Sequence, residues 1–358
     1  MKKKFIILFF IVMLIIPQIG CKSQNNNAGI EKSSFHLDTI CKITVYSMEG
    51  IEELDEKEQR QEVLSLITEA FKLCDDYEKI LSKTKEETDI YRINHAGGKA
   101  VEVSDVAIEV IKKGLEYGEI SGGAFDITIG AVTDMWDFHG SDEEGNKTGT
   151  VPDRTELSEK ASHVDYRNII IDGNTVRLAD PEVQIDLGGI AKGYIADKLA
   201  GFLEENGVTS AIVYLGGNIV VVGEKGESLT NSNGTMFEVG IGDPSSEMGE
   251  LLGTVSCKDM TVVTSGTYER YFEADGKKYH HVLDPETGFP VDTDLLSVTV
   301  ISEKGRSQDC DGLSTVCLAL GKEKGTELIK SIDGFDAIFV DTDNKVTVTS
   351  DDMDFKLR

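Results

Sequence analysis

The stretch "AIVYLGGNIVVVGE" at residues 211–224 decides the fold class of this chain. Two strongly apolar runs are separated by turn-forming residues at 216–218, which is typical of two strands joined into a hairpin. The stretches "NIIIDGNTVRLAD" (168–180) and "DAIFVDTDNKVTVTS" (336–350) have the same organisation. The chain is therefore predicted to form antiparallel strand pairs.

Helices are predicted between these strand pairs. Apolar residues recur every three or four positions at 52–81, which predicts one long amphipathic helix after a strand at 39–47. A second helix is predicted to begin after Ser104, and a third to span 190–205 and end before Gly207. Strand pairs with inserted helices favour an α+β fold over a doubly wound α/β fold, here in one two-lobed domain.

The composition limits the classes of partner. The 358 residues are 40% hydrophobic and 28% charged, which is typical of a folded protein with a sizeable core. The formal net charge of -28 argues against nucleic acid, whose phosphates are bound by Lys and Arg. A phosphorylated small ligand stays compatible if a metal ion screens the repulsion. The common nucleotide-binding and hydrolase signatures, such as G-x-G-x-x-G and G-x-S-x-G, are absent.

The N-terminus has the pattern of a targeting segment. Lysines precede an apolar run at 5–16, which is short for a membrane-spanning helix and typical of a signal peptide. The "PQIGC" that follows resembles a bacterial lipobox, in which Cys21 becomes the diacylated N-terminus. We predict a signal peptide at 1–20, a lipidated cysteine with a polar tether at 21–34, and a folded domain at 35–358. The protein is then anchored by lipid to the extracytoplasmic side of the cell membrane; an uncleaved N-terminal anchor is the alternative.

The remaining cysteines do not have the spacing of a metal site or of a disulfide framework. They are odd in number and scattered, so most are predicted to be small buried residues, with room for a single disulfide. They are Cys41, Cys74, Cys257, Cys310 and Cys317.

Paired histidines stand at the entrance of a constrained turn in "YHHVLDPETGFPV" (279–291). The two prolines fix backbone φ angles and Gly288 can adopt a positive φ, so the segment is predicted to be a rigid corner. If the preceding strand alternates, only one of His280 and His281 points into a given site. The functional interpretation is a base held beside a ligand, and the alternative is two solvated surface histidines.

Two further stretches could bind a metal ion and phosphate. In "DCDGLSTVCLALG" (309–321), Asp311 and Thr315 would share a helix face if Asp311 opens the helix, and their oxygens would suit Mg²⁺ or Ca²⁺. The alternative is a helix cap and a packed threonine. In "QIDLGGIAKGYIADKLA" (184–200), a strand would end at Asp186, and glycine amides at the following helix start could approach phosphate.

Lys192 is unusual in that predicted first turn, because a cation lies badly at the positive end of a helix. An anionic ligand would remove the conflict, and the alternative is a solvated lysine. A fourth stretch, "SGGAFDITIGAVTDMWDFHG" (121–140), holds the chain's single Trp. It is either a core strand with a loop or part of an aromatic-lined cleft for a planar ring.

Taken together and in order, these motifs resemble the ApbE family of FAD:protein FMN transferases, from about Phe35 to the C-terminus. Several multi-residue motifs in order are specific where one alone would be weak. The matching segments are "GGAFDITIG", "DLGGIAKGY", "LGGNI", "VGIGDP", "VTSGTYERYF", "HHVLDPETGFPV" and "DGLSTVCLALG".

The resemblance implies Mg²⁺-dependent transfer of FMN from FAD to a threonine or serine hydroxyl of a partner protein, with release of AMP. It implies metal binding by the side chains of Asp311 and Thr315 and the carbonyl of Gly189. His281, and not His280, matches the histidine of the family, and we expect it to be the base. FAD contacts are expected from Thr84, which stands where many members have a tyrosine, and from Ala124, Phe125, Asp126, Asp186 and Lys192.

Other functions use the same residues. A Mg²⁺-dependent FAD pyrophosphatase would use water as the acceptor, and an FAD-binding lipoprotein would store flavin without chemistry. A transporter's substrate-binding lipoprotein would need two doubly wound lobes, against the hairpin pattern. For a transferase, the resemblance suggests acceptor subunits of membrane redox complexes that carry covalent FMN, such as sodium-pumping or ferredoxin-linked complexes.

Overall fold

The computed structural model describes residues 29–138, 140–141, 147–225, 236–246 and 249–358. The predicted signal peptide, Cys21 and the tether as far as residue 28 lie outside the described residues.

The helices begin and end close to the predicted positions. Asp55 and Glu58 form a capping box at the start of the long helix, and Ser104 caps the helix that follows it, as predicted. Gly207 follows the third predicted helix with φ of 86°. Within the described residues the helices are α1 (Glu56–Leu81), α2 (Asp89–Asn94), α3 (Asp105–Ile120), α4 (Gly130–Thr133), α5 (Arg154–Ala161), α6 (Ala191–Glu205), α7 (Ser307–Leu320) and α8 (Lys322–Ser331).

The strands of the described residues pair only in the antiparallel sense. The predicted hairpins at 168–180, 211–224 and 336–350 are all present. The strands are β1 (Ile30–His36), β2 (Thr39–Met48), β3 (Val101–Glu102), β4 (Gly140–Ser141), β5 (Lys147–Thr148), β6 (Ile169–Asp172), β7 (Thr175–Leu178), β8 (Val208–Leu215), β9 (Asn218–Val222), β10 (Phe237–Gly242), β11 (Leu251–Cys257), β12 (Met260–Gly266), β13 (Tyr271–Ala274), β14 (Lys277–His280), β15 (Leu295–Glu303), β16 (Phe335–Asp341), β17 (Val346–Val348) and β18 (Phe355–Leu357).

One eight-stranded sheet, in the order β1-β2-β8-β9-β12-β15-β16-β17, is the centre of the fold. Its central strands are buried on both faces, which explains their nearly continuous apolar sequences. Val220 and Val222 of β9 pack into the larger core with α1, α3, α6 and α7, whereas Val221 packs into a second core with the three-stranded sheet β10-β11-β18. This alternation follows from the two-residue period of a strand, and it confirms the predicted α+β class.

A third core supports the segment with the paired histidines. Trp136, Leu157 and Phe272 are buried there together with Leu283. Trp136 Nε1 donates a hydrogen bond to the carbonyl of Gly288 at 3.0 Å. Helices α4 and α5 and the hairpin β13–β14 thereby hold the 279–291 corner in a fixed position.

Several predicted boundaries were wrong. Strand β1 begins at Ile30, so the folded part includes residues that we assigned to the tether ending at 34. Helix α7 begins at Ser307 and not at Asp311. Gln184 forms only an isolated bridge with Ile129, so no regular strand precedes Asp186. Local composition does not fix these boundaries, because the pairing of β1 with β2 and the capping of α7 by Asp197 involve other segments of the chain.

All five cysteines in the described residues are buried and free, which agrees with the prediction of small core residues. Burial raises the pKa of each of these thiols, so they are poor nucleophiles. Within the described part of the chain, none of the helices has the length and apolar character needed to span a membrane.

Candidate active site

A cleft of about 930 Å³ lies beside the beginning of α6 and the first half of α7. Its walls come from segments that are far apart in the chain. The cleft is lined by all ten residues that the sequence analysis connected with FAD, metal or catalysis: Thr84, Ala124, Phe125, Asp126, Asp186, Gly189, Lys192, His281, Asp311 and Thr315.

Asp311 contributes a buried carboxylate to the cleft. Its Oδ2 accepts a hydrogen bond from the amide of Gly193 at 2.9 Å. Its Oδ1 has only long contacts, to Asn218 Nδ2 at 3.4 Å and to Lys192 Nζ at 3.6 Å. Burial raises the pKa of this carboxyl group, and the Lys192 ammonium only partly opposes the effect. One carboxylate oxygen is therefore available to a cation.

Thr315 and Gly189 lie next to Asp311. Thr315 is one turn later on α7, and its hydroxyl donates to the carbonyl of Asp311 at 3.2 Å and lies 3.4 Å from Ser265 Oγ. A Cβ added at Gly189 would be 3.8 Å from Thr315 Oγ1 and 2.8 Å from the Phe125 ring. The predicted metal ligands are therefore together, and Phe125 packs too closely on Gly189 to leave room for a side chain.

The donor set has the chemistry that Mg²⁺ prefers. It consists of a carboxylate, a hydroxyl and a carbonyl, which are hard oxygen ligands. Beside it, Asn218 Oδ1 is buried and has no hydrogen-bond partner in the described part of the chain, and a hydrated cation would satisfy such an atom. The described residues contain no group of three or more His, Cys, Asp or Glu that could hold a metal, so the other ligands would be water and phosphate oxygens. The residues present fit Mg²⁺ on these terms.

His281 lines the same cleft and is held through its inner nitrogen. The carbonyl of Arg270 accepts from the His281 amide at 3.1 Å and lies 3.2 Å from Nδ1. Because a carbonyl can only accept, this contact assigns the proton of the neutral ring to Nδ1 and leaves Nε2 as an acceptor. Burial and the positive charge of Arg270 lower the pKa of His281 to about 3, so the ring is neutral at pH 7.

The corner after His281 is as rigid as predicted. Asp284 Oδ1 accepts from the amide of Glu286 at 3.0 Å, and Oδ2 accepts from the Thr287 hydroxyl at 2.9 Å. The backbone of Asp284 also exchanges hydrogen bonds with Gly288 and Phe289. Gly288 has φ of 73°, as a turn of this kind requires.

His280 has a different environment from its neighbour. It is the last residue of β14, is 8% exposed and does not line the cleft. Burial lowers its pKa to about 4. The strand alternation prediction was right, and the alternative of two solvated histidines was wrong.

Lys192 lies in the first turn of α6, and Asp186 lies in the segment that leads into this helix. The sequence analysis missed Lys83, which forms an ion pair with Asp186. Lys192 Nζ donates to the carbonyl of Gly188 at 3.2 Å and faces the cleft. Asp186 Oδ2 is 3.1 Å from Lys83 Nζ, which also donates to Thr133 Oγ1 at 2.5 Å. Burial is the largest single influence on Asp186 and raises its pKa, but the charge of Lys83 and the hydrogen bonds from Gly188, Thr133 and Lys83 together lower it overall. Lys83 directly precedes Thr84, so the segment around Thr84 is the part of the sequence that could have pointed to Lys83 as a site residue.

Asp126 lines the cleft, but its carboxylate is committed to the protein. Oδ1 accepts from the amide and hydroxyl of Thr128 at 2.7 and 2.6 Å, and Oδ2 accepts from the amide of Tyr166 at 2.7 Å. These three bonds fix the orientation of the Asp126 carboxylate at the wall of the cleft. The D-x-T spacing in "FDIT" is the sequence signal for this local turn.

The "SGGAFDITIGAVTDMWDFHG" stretch contributes aromatic walls, and among its described residues only Gly140, the first residue of β4, belongs to a regular strand. Trp136 and Phe138 line the cleft, with their rings stacked at 5.6 Å. Phe125 contacts Tyr117 edge-on at 6.3 Å. These rings support the interpretation of a cleft for a planar group.

Glu269 and Arg270 also line the cleft and were quoted only as part of "VTSGTYERYF". Burial within the cleft raises the pKa of Glu269 to about 7, although Lys192 opposes the shift. Arg270 supplies the carbonyl that holds His281. Both residues lie in the connection between β12 and β13, and this location places them at the cleft.

The profile of the ApbE family matches residues 37–339. The FAD:protein FMN transferase of Treponema pallidum is 34% identical over 355 residues, which cover 96% of this chain and 93% of the relative. That of Klebsiella pneumoniae is 35% identical over 291 residues, covering 80% and 85%.

Solved structures agree with the sequence comparison. The crystal structure of the ApbE protein from Thermotoga maritima has a TM-score of 0.73 and 28% identity, and the alignment covers 88% of this chain and 96% of that one. The flavin transferase ApbE from Vibrio cholerae has a TM-score of 0.71 and 26% identity, with coverage of 90% and 97%. Profile, relatives and fold coincide over nearly the whole chain, and this chain belongs to the ApbE family.

Proposed function

We propose that this protein is an FAD:protein FMN transferase. It moves FMN from FAD to a threonine or serine hydroxyl of an acceptor protein as a phosphoester and releases AMP, with Mg²⁺ required. The observation that carries the proposal is the convergence in one cleft of His281, with Nε2 free to accept a proton, and the oxygen ligands of Asp311 and Thr315. Relatives named for this activity support it.

The reaction needs a base beside a diphosphate. The acceptor oxygen forms a bond to the FMN phosphorus, the bond from that phosphorus to the bridging oxygen breaks, and AMP leaves with the bridging oxygen. The hydroxyl proton goes to His281 Nε2, a general-base contribution worth roughly 10²–10⁴-fold. Burial and the charge of Arg270 lower the pKa of His281, and a diphosphate bound in the cleft would oppose the second of these and favour proton acceptance.

The other residues bind and orient. Bound at Asp311, Thr315 and the Gly189 carbonyl, Mg²⁺ would supply neutralisation of the phosphoryl charge. Lys192 faces the cleft and suits an anionic diphosphate. Trp136 and Phe138 offer apolar ring surface to a flavin or an adenine.

We further propose that the protein acts at the membrane. Lipidation of Cys21 after cleavage at residue 20 would anchor it on the extracytoplasmic side, and the lipobox-like "PQIGC" supports this. The acceptors would then be subunits of membrane redox complexes that carry covalent FMN.

Mass spectrometry of an acceptor tests the proposal. An acceptor domain from a covalently flavinylated redox protein is incubated with the full chain, FAD and Mg²⁺. We expect a gain of one FMN on the acceptor and release of AMP, with a decrease of at least 10²-fold in His281→Ala and loss in Asp311→Ala. Substitution of the acceptor threonine by alanine is the control.

Other outcomes identify other functions. FMN and AMP free in solution without an adduct would support an FAD pyrophosphatase. Intact FAD retained by the protein would leave only a binding role, and either result would contradict the transferase.

A further inference from the structure

Helix α7, which carries Asp311 and Thr315, has no side-chain cap of its own. The residue before it is Arg306, whose side chain makes no capping hydrogen bond. The first amides of a helix have no partner within the helix and need one from elsewhere. Here the amides of Ser307 and Gln308 donate to the two carboxylate oxygens of Asp197, each at 3.1 Å.

Asp197 belongs to α6, so the cap joins two helices. The same face of α6 carries Gly193, four residues earlier, whose amide donates to Asp311 Oδ2 at 2.9 Å. A Cβ on Gly193 would be only 2.3 Å from the carbonyl oxygen of Ser307. The backbones of α6 and α7 therefore touch at the point where Asp197 holds the end of α7.

The proposed metal ligands Asp311 and Thr315 lie on the same helix as this contact, one and two turns further along. Ser307, Asp311 and Thr315 succeed each other at four-residue intervals along α7, and so lie on one face. Any shift of the first turn of α7 along α6 would move both ligands relative to Gly189, which precedes α6 on the other side of the site.

Burial of the charged Asp197 carboxylate is energetically unfavourable. No ion pair to it occurs among the described residues, and burial raises its pKa to about 6 although the two helix amides oppose the shift. A neutral cap such as serine would satisfy a helix end without this penalty. Unlike a serine hydroxyl, the Asp197 carboxylate has two oxygens and accepts hydrogen bonds from two amides of a different helix.

We propose that Asp197 is a positioning residue that sets the register of α7 against α6 and thereby the spacing of Asp311, Thr315 and Gly189 for Mg²⁺. The inference rests on the proposed function, which requires a metal at these residues. Asp197 lies outside the cleft and touches no substrate, so its effect should appear in metal affinity and not in the chemical step.

Variants at one position remove the cap in steps. Asp197→Asn loses the charge and one of the two acceptor oxygens, and Asp197→Ala loses the whole carboxylate. Glu205→Gln removes an exposed carboxylate from the same helix and is the matched control. Each full-length protein is loaded with FAD and titrated with Mg²⁺ while the heat of binding is measured. FMN transfer to the acceptor domain is measured separately, and hydrogen exchange is followed at residues 307–308.

We expect the dissociation constant for Mg²⁺ to increase by about 10-fold in Asp197→Ala and by less in Asp197→Asn, since partners that orient metal ligands are typically worth 10–100-fold. The turnover number at saturating Mg²⁺ should stay within about 3-fold of the parent, because the chemical groups remain. The amides at 307–308 should exchange faster in both variants and remain slow in Glu205→Gln.

An unchanged Mg²⁺ dissociation constant in both variants, despite faster exchange at 307–308, would overturn the proposal and leave a purely structural cap. If Asp197→Ala fails to fold, Asp197→Asn decides the matter. Absence of any Mg²⁺ binding by the parent would instead refute the metal requirement of the proposed function, and the inference with it.

Discussion

His280 and His281 are adjacent in the chain but have different physical roles. His281 is held by the Arg270 carbonyl with its second nitrogen towards the cleft, and His280 ends a strand inside the protein. Among the described residues His280 Nδ1 has no hydrogen-bond partner, and burial outweighs the backbone hydrogen bond to Val291 that favours the charged ring. Strand alternation alone predicts that the two rings diverge, whereas their pKa values depend on burial by other segments.

The buried His280 should make stability fall in mild acid. Its folded-state pKa of about 4 is below the unfolded value, so the unfolded chain binds the proton first and stability is lost as pH falls from about 6.5 towards 4. Between pH 7 and pH 5 the unfolding free energy of the parent should decrease because of this group. In His280→Gln the decrease should be smaller by about 2 kcal/mol. Urea denaturation at both pH values measures this difference. His95→Gln, at an exposed position, is the control, and equal pH dependence of parent and His280→Gln would contradict the prediction.

At the scale of elements, the crossing of α6 and α7 determines the site. Gly193 is required there by close approach and not by backbone conformation, because its φ is not positive. Gly201 lies on the same helix, and a Cβ added there would have no atom within 4 Å. A side chain is therefore excluded at Gly193 but not at Gly201. Helical periodicity in the sequence does not distinguish the two positions.

Substitution of these two glycines should have opposite effects on stability. Gly193→Ala would push the helices apart and should lower the unfolding free energy by about 1–3 kcal/mol, with weaker Mg²⁺ binding. Gly201→Ala should raise the unfolding free energy by up to about 1 kcal/mol, because alanine favours a helix interior. Denaturant unfolding of both variants gives the comparison. Equal stability of Gly193→Ala and the parent would show that the crossing can relax.

At the scale of the whole molecule, the cleft exists because distant segments meet over one sheet. The Gly193–Asp311 hydrogen bond joins residues 118 positions apart, and the Asp197–Ser307 bond joins residues 110 apart. With a net charge of -28, the chain is not attracted to anionic lipid surfaces, so charge does not supply membrane attachment, and the proposed anchor is the lipid on Cys21.

Removal of Cys21 should therefore release the protein. We expect Cys21→Ser to move from the membrane fraction to the soluble fraction and to lack the mass of the lipid, while the Mg²⁺-dependent FAD reaction is retained. Cell fractionation with mass spectrometry of the N-terminal peptide measures both, and Ser23→Ala is the control. A Cys21→Ser protein that stays in the membrane fraction would support the uncleaved anchor instead.

The sequence by itself determined the class of fold and identified ten residues that line the cleft, but not Lys83, Glu269 or Arg270. Turn residues at 216–218, the helical period of α1 and α6 and the proline corner at 279–291 are encoded within a few neighbouring residues, so they can be read locally. The ordered motifs likewise identified residues that prove to share one cleft.

Only the tertiary structure decided the strand order, the start of α7 and the surroundings of individual groups. The orientation of the Asp126 carboxylate depends in part on the amide of Tyr166, and the role of Lys83 depends on Asp186. The role of Asp197 depends on the end of a helix far along the chain. Contacts of this kind arise when the sheet brings distant segments together. They are absent from any local window because burial and hydrogen-bond partners are properties of the packed molecule.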